Sequence, residues 1–409
     1  MKALTLTLIL FLPIILFTQT AIEKYEGNPV LDVGPAGSWD ETAVITPSVV
    51  VNGTTFKMWY TGYDGSHHRI GYATSTDGIN WTKADDVNPV LDLGVADSWD
   101  DESVASPCVL YDGNIYKMWY GGNGLIGYAT SPDGITWTKH DGPVLEIGSE
   151  GSWDDYLTII PKVVFLENRH MMFFSGYDGE HGFSIGCARS PDGIVWTKEE
   201  DFNPILEASY SWEDNQLYTG DVLMVNNMFE MWYAAGSGGY NLRTGYATSS
   251  DGLNWSKNDV YVLTYGAYGE WDYKFACLSS AYFDGETYHF WYDSEKYKTS
   301  GAIGYATSTI VGVKEEVSIP VKYELNQNYP NPFNPSTIIK YNIPNESNIT
   351  LKVFDVLGRE VATLVNQQQK AGYYEVQFTS NNVQLTSGVY FYKILAGDFV
   401  ETKKMLLLR

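Results

Sequence analysis

The chain has 409 residues, enough for one large domain and a small second one, and its 15% aromatic content and 39 glycines suit an all-β protein with many tight turns. Its formal net charge is −24 at pH 7; because residues 322–409 hold 9 basic and 7 acidic side chains, the excess acid lies before them. A surface that acidic repels phosphate backbones and anionic lipid, which excludes nucleic-acid and membrane-surface partners.

Residues 1–20 read as a signal peptide, with one Lys followed by an apolar run over 4–17 too short to span a bilayer. No stable membrane span is expected. The three cysteines, Cys108, Cys187 and Cys277, share no spacing, which argues against a disulfide framework and against a zinc site. They read as small buried apolar residues.

Residues 24–312 are organised by repetition. The stretch 57–83, KMWYTGYDGSHHRIGYATSTDGINWTK, returns at 117–139, 171–198 and 230–257, and at 289–308 without its last part. With Met58, Met118, Met172, Met231 and Phe290 taken as equivalent, the intervals are 60, 54, 59 and 59 residues, the period of an array. Each unit holds two strand-like runs, a turn at DG and a third run, and a further run such as PSVV precedes them. One unit is therefore a four-stranded antiparallel sheet, and five make a five-bladed β-propeller. The fifth unit ends at Ser308 without the DGxxW run, so the N-terminal segment is expected to supply its outermost strand and close the ring.

All 13 tryptophans occupy repeating positions, which assigns them to packing within or between blades. Aromatic platforms for a ligand are sought instead among non-repeating tyrosines, including Tyr156, Tyr218, Tyr240 and Tyr273. The acids after the first tryptophan of each unit (Asp40, Asp100, Asp154, Glu213 and Asp272) recur in all five and read as caps on a turn.

In a propeller, ligands belong on the face that collects the longer, more varied segments: those entering each inner strand and those after MWY. Aligning the entries on Pro47, Pro107, Pro161, Gly220 and Ser279 leaves Glu41, Asp101, Asp155 and Asp214 at one variable position and Glu102 at the next. These five acids are the candidate catalytic residues. Just inside the strand, Ser48, Cys108, Lys162, Asp221 and Ser280 should line the central channel. Lys162 and Asp221 stand on adjacent blades, either as a salt bridge between them or as a polar floor. Tyr156, Tyr218, His181 and Arg243 complete the candidate ligand-binding set. The loop 121–124, GGNG, is the shortest and should leave one side of the funnel open. His67, His68 and Asp64 lack metal-ligand spacing, so no catalytic metal and no cofactor are expected; a structural calcium ion in the channel is left open.

After a polar linker at 313–324, residues 325–409 alternate strand runs with turns and read as a small Ig-like β-sandwich. The runs NYPNPFNPST at 328–337, VLGRE at 356–360, SGVYF at 387–391 and KMLLLR at 404–409 strongly resemble the C-terminal sorting domain of the type IX secretion system. That resemblance implies the secretion machinery as a partner and a destination at the cell surface or outside.

The blade pattern NPVL…W…P…YKMWYxG…IGYATSxDGxxW over 28–308 resembles the five-bladed glycosidase superfamily that includes glycoside hydrolase families 43, 32, 62 and 130. The likeness implies an oligo- or polysaccharide substrate cleaved by carboxylate acid/base chemistry, one protonated acid serving the leaving oxygen and one carboxylate activating water or attacking carbon. The family 43 acids at the start of inner strands are replaced here by Thr46, Ser106, Ile160, Thr219 and Leu278, and the GxEDPR run of family 130 is missing. A non-catalytic propeller binding a glycan or another surface ligand is therefore the alternative. The SxDGxxW run also resembles the sialidase Asp-box, one residue short, where the turn is structural. Arg69, Arg169, Arg189 and Arg243 are too scattered to form an arginine triad.

Overall fold

A computed structural model describes residues 18–19, 22–166, 169–237, 241–296, 300–311, 322–380 and 385–408. The expected signal peptide, Tyr240 and most of the expected linker lie outside these residues. The chain forms two units, Gln19–Ile310 and a second that contains Val311–Arg409. No helix among the described residues is long and apolar enough to cross a membrane.

The first unit is a five-bladed β-propeller. Blade 1 is built from Ala43–Asn52, Thr55–Tyr63, His68–Ser75 and Thr82–Lys83, in that order from axis to rim. Blades 2, 3 and 4 repeat the order from inner strands Ala105–Tyr111, Leu157–Leu166 and Leu217–Val225. Blade 5 comprises Cys277–Phe283, Thr287–Lys296 and Ser300–Val311, and its fourth strand is Glu23–Lys24 from the N-terminus. Glu23 pairs with Thr307 and Lys24 with Ala306, the register in which Thr82 and Lys83 pair with Thr74 and Ala73.

Packing closes the ring. The propeller core divides into clusters at successive blade interfaces, and one joins Met58, Tyr60 and Ala73 of blade 1 to Trp291, Ile303 and Tyr305 of blade 5. Second-strand tryptophans reach across: Trp59, Trp119 and Trp291 donate Nε1–H to the carbonyls of Gly134, Gly193 and Gly78 in the next blade, at 2.7–2.8 Å. The same carbonyls accept from Trp137, Trp196 and Trp81 of their own blades. Three DG turns are thus two-way junctions; the fourth, at Gly252, accepts from Trp255 of its own blade, and Phe173 stands in blade 3 where the other blades have tryptophan. Each turn's own loop is held by a Ser and an Asp such as Ser75 and Asp77. A methyl on Gly71 of IGYATS would come within 2.5 Å of Trp39 and 2.7 Å of Tyr60, which is why that run keeps a glycine.

The recurring acid does more than cap a turn. Asp40, Asp100, Asp154, Glu213 and Asp272 are buried and ion-paired to Lys83, Lys139, Lys198, Lys257 and Lys24 on the outermost strand of the same blade. In four blades a tyrosine hydroxyl joins (Tyr60, Tyr120, Tyr233, Tyr292); blade 3 has Phe174 instead. The three cysteines are free and buried, and burial pushes their thiols up.

The second unit is a β-sandwich. A sheet of Glu324–Leu325, Ser336–Ile343 and Gly372–Thr379 faces one of Glu360–Gln369, Ser347–Phe354, Gly388–Ala396 and Phe399–Leu407. Alternating residues of both, including Ile339, Tyr341, Leu351, Val353, Tyr392 and Ile394, form one core.

Candidate functional site

Every inner strand breaks register at one level: between Ile45 and Ser48, Ala105 and Cys108, Ile159 and Lys162, Thr219 and Asp221, and Leu278 and Ser280. Thr46, Ser106 and Ile160 there have φ of 46, 51 and 53°, a left-handed region costly for β-branched side chains. The bulge turns an amide away from its own sheet, and the preceding blade accepts it. Thr61 Oγ1 accepts from Ser106 N (2.8 Å), Ser175 Oγ from Thr219 N (2.9 Å), Thr244 Oγ1 from Leu278 N (3.1 Å) and Asp293 Oδ1 from Thr46 N (3.3 Å).

The expected channel ring follows directly after the bulge. Ser48, Cys108, Asp221 and Ser280 accept the amides of Val109, Val163, Ala281 and Val49 on the next blade. Cys108 is thus an acceptor as well as an apolar filler. Lys162 accepts nothing, and the Val222 amide is taken by Asp221 itself at 2.9 Å. Lys162, 4% exposed, donates across the ring to the Ser279 carbonyl; among the described residues it is not ion-paired with Asp221. Burial raises the pKa of Asp221, with the Lys162 charge opposing. Asp293 is also buried, receives the Ser279 hydroxyl, and has its carboxyl pushed up to about 6 by burial.

At the mouth a cavity of about 450 Å³ opens over blade 2. Its walls are Ser66 and His68 from blade 1, Glu102, Ser103, Ala105 and Ser106 at the blade 2 entry, the loop 121–124, and Ile159 of blade 3. It occurs where the loop is shortest. Glu102 is exposed to it, and His68 Nδ1 lies 3.5 Å from Ser103 Oγ. Burial lowers the His68 pKa, with Asp64 opposing, which disfavours the imidazolium form. A hydrogen-bond path leads from Asp293 through Thr46 and Thr61, whose hydroxyl oxygens are 2.6 Å apart, to Ser106 in the cavity wall.

Of the five candidate acids, Glu102 alone lines this cavity. Glu41, Asp101 and Asp155 turn back to accept the amides of Gly37, Asp97 and Gly151, four residues earlier, and Asp101 also accepts from Asn123. Asp214 is exposed on a turn with φ 45°. Among the candidate binding residues, Tyr156 is 64% exposed beside Tyr177, and Tyr218 is half-buried with its hydroxyl on Gln216. His181 is exposed and pairs with Asp178, which raises its pKa. Arg243 lies between the rings of Tyr261 and Tyr265 and donates to the Tyr265 hydroxyl. His68 and Asp293, neither among the expected site residues, both belong to strands, His68 on the cavity and Asp293 at the bulge level. The signal for Asp293 was the residue after the aligned Tyr or Phe, where the other blades carry Thr61, Gly121, Ser175 and Ala234. No group of three or more His, Cys, Asp or Glu side chains among the described residues converges on a metal position.

Comparison with known proteins adds three relatives. An uncharacterised protein of Mycobacterium tuberculosis is 34% identical over 160 residues, 36% of this chain and 51% of that protein. The β-1,2-mannobiose phosphorylase of a Thermoanaerobacter species is 28% identical over 132 residues, 26% of this chain and 42% of its own length. The chain thus spans about half the length of the curated relatives it matches. A solved structure described within the GH130 family of mannoside phosphorylases, which contains glycoside hydrolases targeting β-1,2-mannosidic linkages in Candida mannan, superposes with a TM-score of 0.57 at 17% identity, over 71% of this chain and 94% of that one. The propeller therefore has the fold of GH130-like glycoside hydrolases and phosphorylases. Residues 327–408 match the secretion system C-terminal sorting domain, so the chain carries that domain behind a glycosidase-type propeller and is exported by type IX secretion to the cell surface or outside.

Proposed function

We propose that the exported propeller binds an oligo- or polysaccharide in the cavity over blade 2 and hydrolyses a glycosidic bond there, with Glu102 as the proton-transferring carboxylate. The observation that carries this is the cavity itself, on the mouth face of a glycosidase fold, with Glu102 and His68 in its walls. Phosphorolysis is less favoured because no Lys or Arg is among the lining residues to hold a phosphate co-substrate.

Binding without turnover is the second reading, and one observation favours it. Carboxylate-pair hydrolysis needs two carboxyl groups facing the scissile bond, and Glu102 is the single one in the lining.

The test uses purified protein on aryl glycosides and neutral polysaccharides, with and without phosphate, beside Glu102→Gln. Hydrolysis predicts phosphate-independent product release, with kcat reduced about 10²- to 10⁴-fold in the variant. Glycan binding with no product in any case establishes the second reading. Turnover unchanged in Glu102→Gln removes the role given to that residue.

A further inference from the structure

The mouth carries an aromatic strip that the repeating framework does not require. In blades 1 and 3 the end of the second strand stacks on the residue opening the third. Tyr63 lies on His68 with ring centres 4.4 Å apart and planes at 18°, and Tyr177 on Phe183 at 4.8 Å and 16°. Blade 2 has Asn123 and Gly124 at these positions, and the cavity opens in the gap between the two stacks.

On the blade 3 side the stack continues. Tyr156 meets Tyr177 edge-on at 5.9 Å, and Phe183 leans on Tyr218 at 4.6 Å. The strip begins beside the cavity wall: a methyl built on the cavity residue Gly124 would lie 2.7 Å from Leu157 Cδ2 and 3.9 Å from the Tyr156 carbonyl. Tyr218 also holds, in blade 4, the register position that the cavity residues Ala105 and Ile159 hold in blades 2 and 3. Around the strip the charges are acidic, with Glu102, Asp155, Asp178 and Glu180 on neighbouring turns.

We infer that Tyr156, Tyr177 and Tyr218, backed by Phe183 packed between the last two, form a row of subsites leading out of the cavity, for a neutral, chain-like glycan. Pyranose rings present flat C–H faces that stack on aromatic rings, and half-exposed tyrosines offer such a face with a polar tip. The acidic surroundings repel uronate or sulfate groups, which selects against anionic chains. A single sugar fills the cavity alone; a longer chain adds contacts along the strip. This inference rests on the reading of the cavity as a glycan site.

Titration calorimetry on the full chain tests it, with β-1,2-linked manno-oligosaccharides and cello-oligosaccharides from disaccharide to hexasaccharide and oligogalacturonates of matching length. Affinity for a neutral series is expected to rise with length, and oligogalacturonates to bind more weakly. Tyr156→Ala, at an exposed ring whose loss leaves the fold intact, is expected to weaken the hexasaccharide about 3- to 10-fold and leave the disaccharide unchanged. Disaccharide binding with no gain from length, or with no effect of Tyr156→Ala on the longer chains, overturns the strip and leaves the cavity reading standing. Stronger binding of oligogalacturonates overturns the neutral-glycan assignment. No binding of any neutral glycan overturns both strip and cavity.

Discussion

Lys162 is the charge on which the centre of the ring depends, and replacing it with Met is the most informative perturbation of the fold. Its ammonium is 4% exposed, donates to the Ser279 carbonyl, and lowers the pKa of both Asp221 and Asp293 against the effect of burial. Lys162 forms an ion pair with neither acid among the described residues, so removing it leaves two buried carboxyls without a nearby opposing charge rather than breaking a pair, at a cost of about 1–3 kcal/mol. The pH dependence gives a second, independent signature. The Asp293 carboxyl is pushed up to about 6 in the folded protein from an ordinary 3.8, mainly by burial. Between roughly pH 4 and 6 the folded state thus keeps a proton that the unfolded chain has released, and stability falls as pH rises through that window. The cost, about 3 kcal/mol, is fully present above it. Without Lys162 both carboxyls rise further and the window moves upward. Lys162→Met should therefore melt lower by about 5 °C near pH 8, at about 2–4 °C per kcal/mol, and by clearly less near pH 5. Adding Asp293→Asn should recover part of the loss. Scanning calorimetry of the variants across pH is the assay. A variant as stable as wild type near pH 8, or a deficit equal at both pH values, would refute the reasoning.

Two further variants address the blades. Lys24→Met removes the partner of buried Asp272 on the strand that closes the ring, and should cost about 1–3 kcal/mol, discounted because Lys24 is partly exposed; an unchanged denaturation midpoint would show that the pair contributes nothing. His170 is buried between Trp119 and Phe165 with no partner for Nδ1, and burial lowers its pKa. The unfolded chain therefore binds the proton more readily, and wild-type stability should fall as pH drops below the ordinary His value of about 6.5. His170→Phe, matching Phe56 and Phe229 in other blades, should flatten that fall and add about 1 kcal/mol under acid conditions; an identical pH profile would contradict it.

The ring was legible in the sequence because its physics repeats. Most of the tryptophans and DG turns, and every Lys of the outermost strand, answer to the same neighbour in the next or the same blade, so equal spacing exposes equal roles. Even Lys24, outside the recognisable repeat, falls in the register of Lys83. The candidate site was less legible because a side chain's identity does not reveal its direction. Glu41, Asp101 and Asp155 lie at variable mouth positions, yet their turns present an amide four residues back and that amide holds them. Glu102, one position on in blade 2, has the cavity before it. Asp293 was not among the expected site residues, since its blade equivalents are mostly small residues and its chemistry comes from burial at a bulge that no local pattern announces.

The claim that the mouth of blade 2 is the glycan site is tested most directly by a crystal structure of the Glu102→Gln chain grown with a bound neutral oligosaccharide. The account predicts a sugar ring over Ser106 and residues 121–124, within hydrogen-bonding distance of the side chain at 102, with the next rings lying on Tyr156 and Tyr177. A sugar seated on the opposite face, among the hairpins such as Asn52–Thr55, or held away from blade 2, would contradict it.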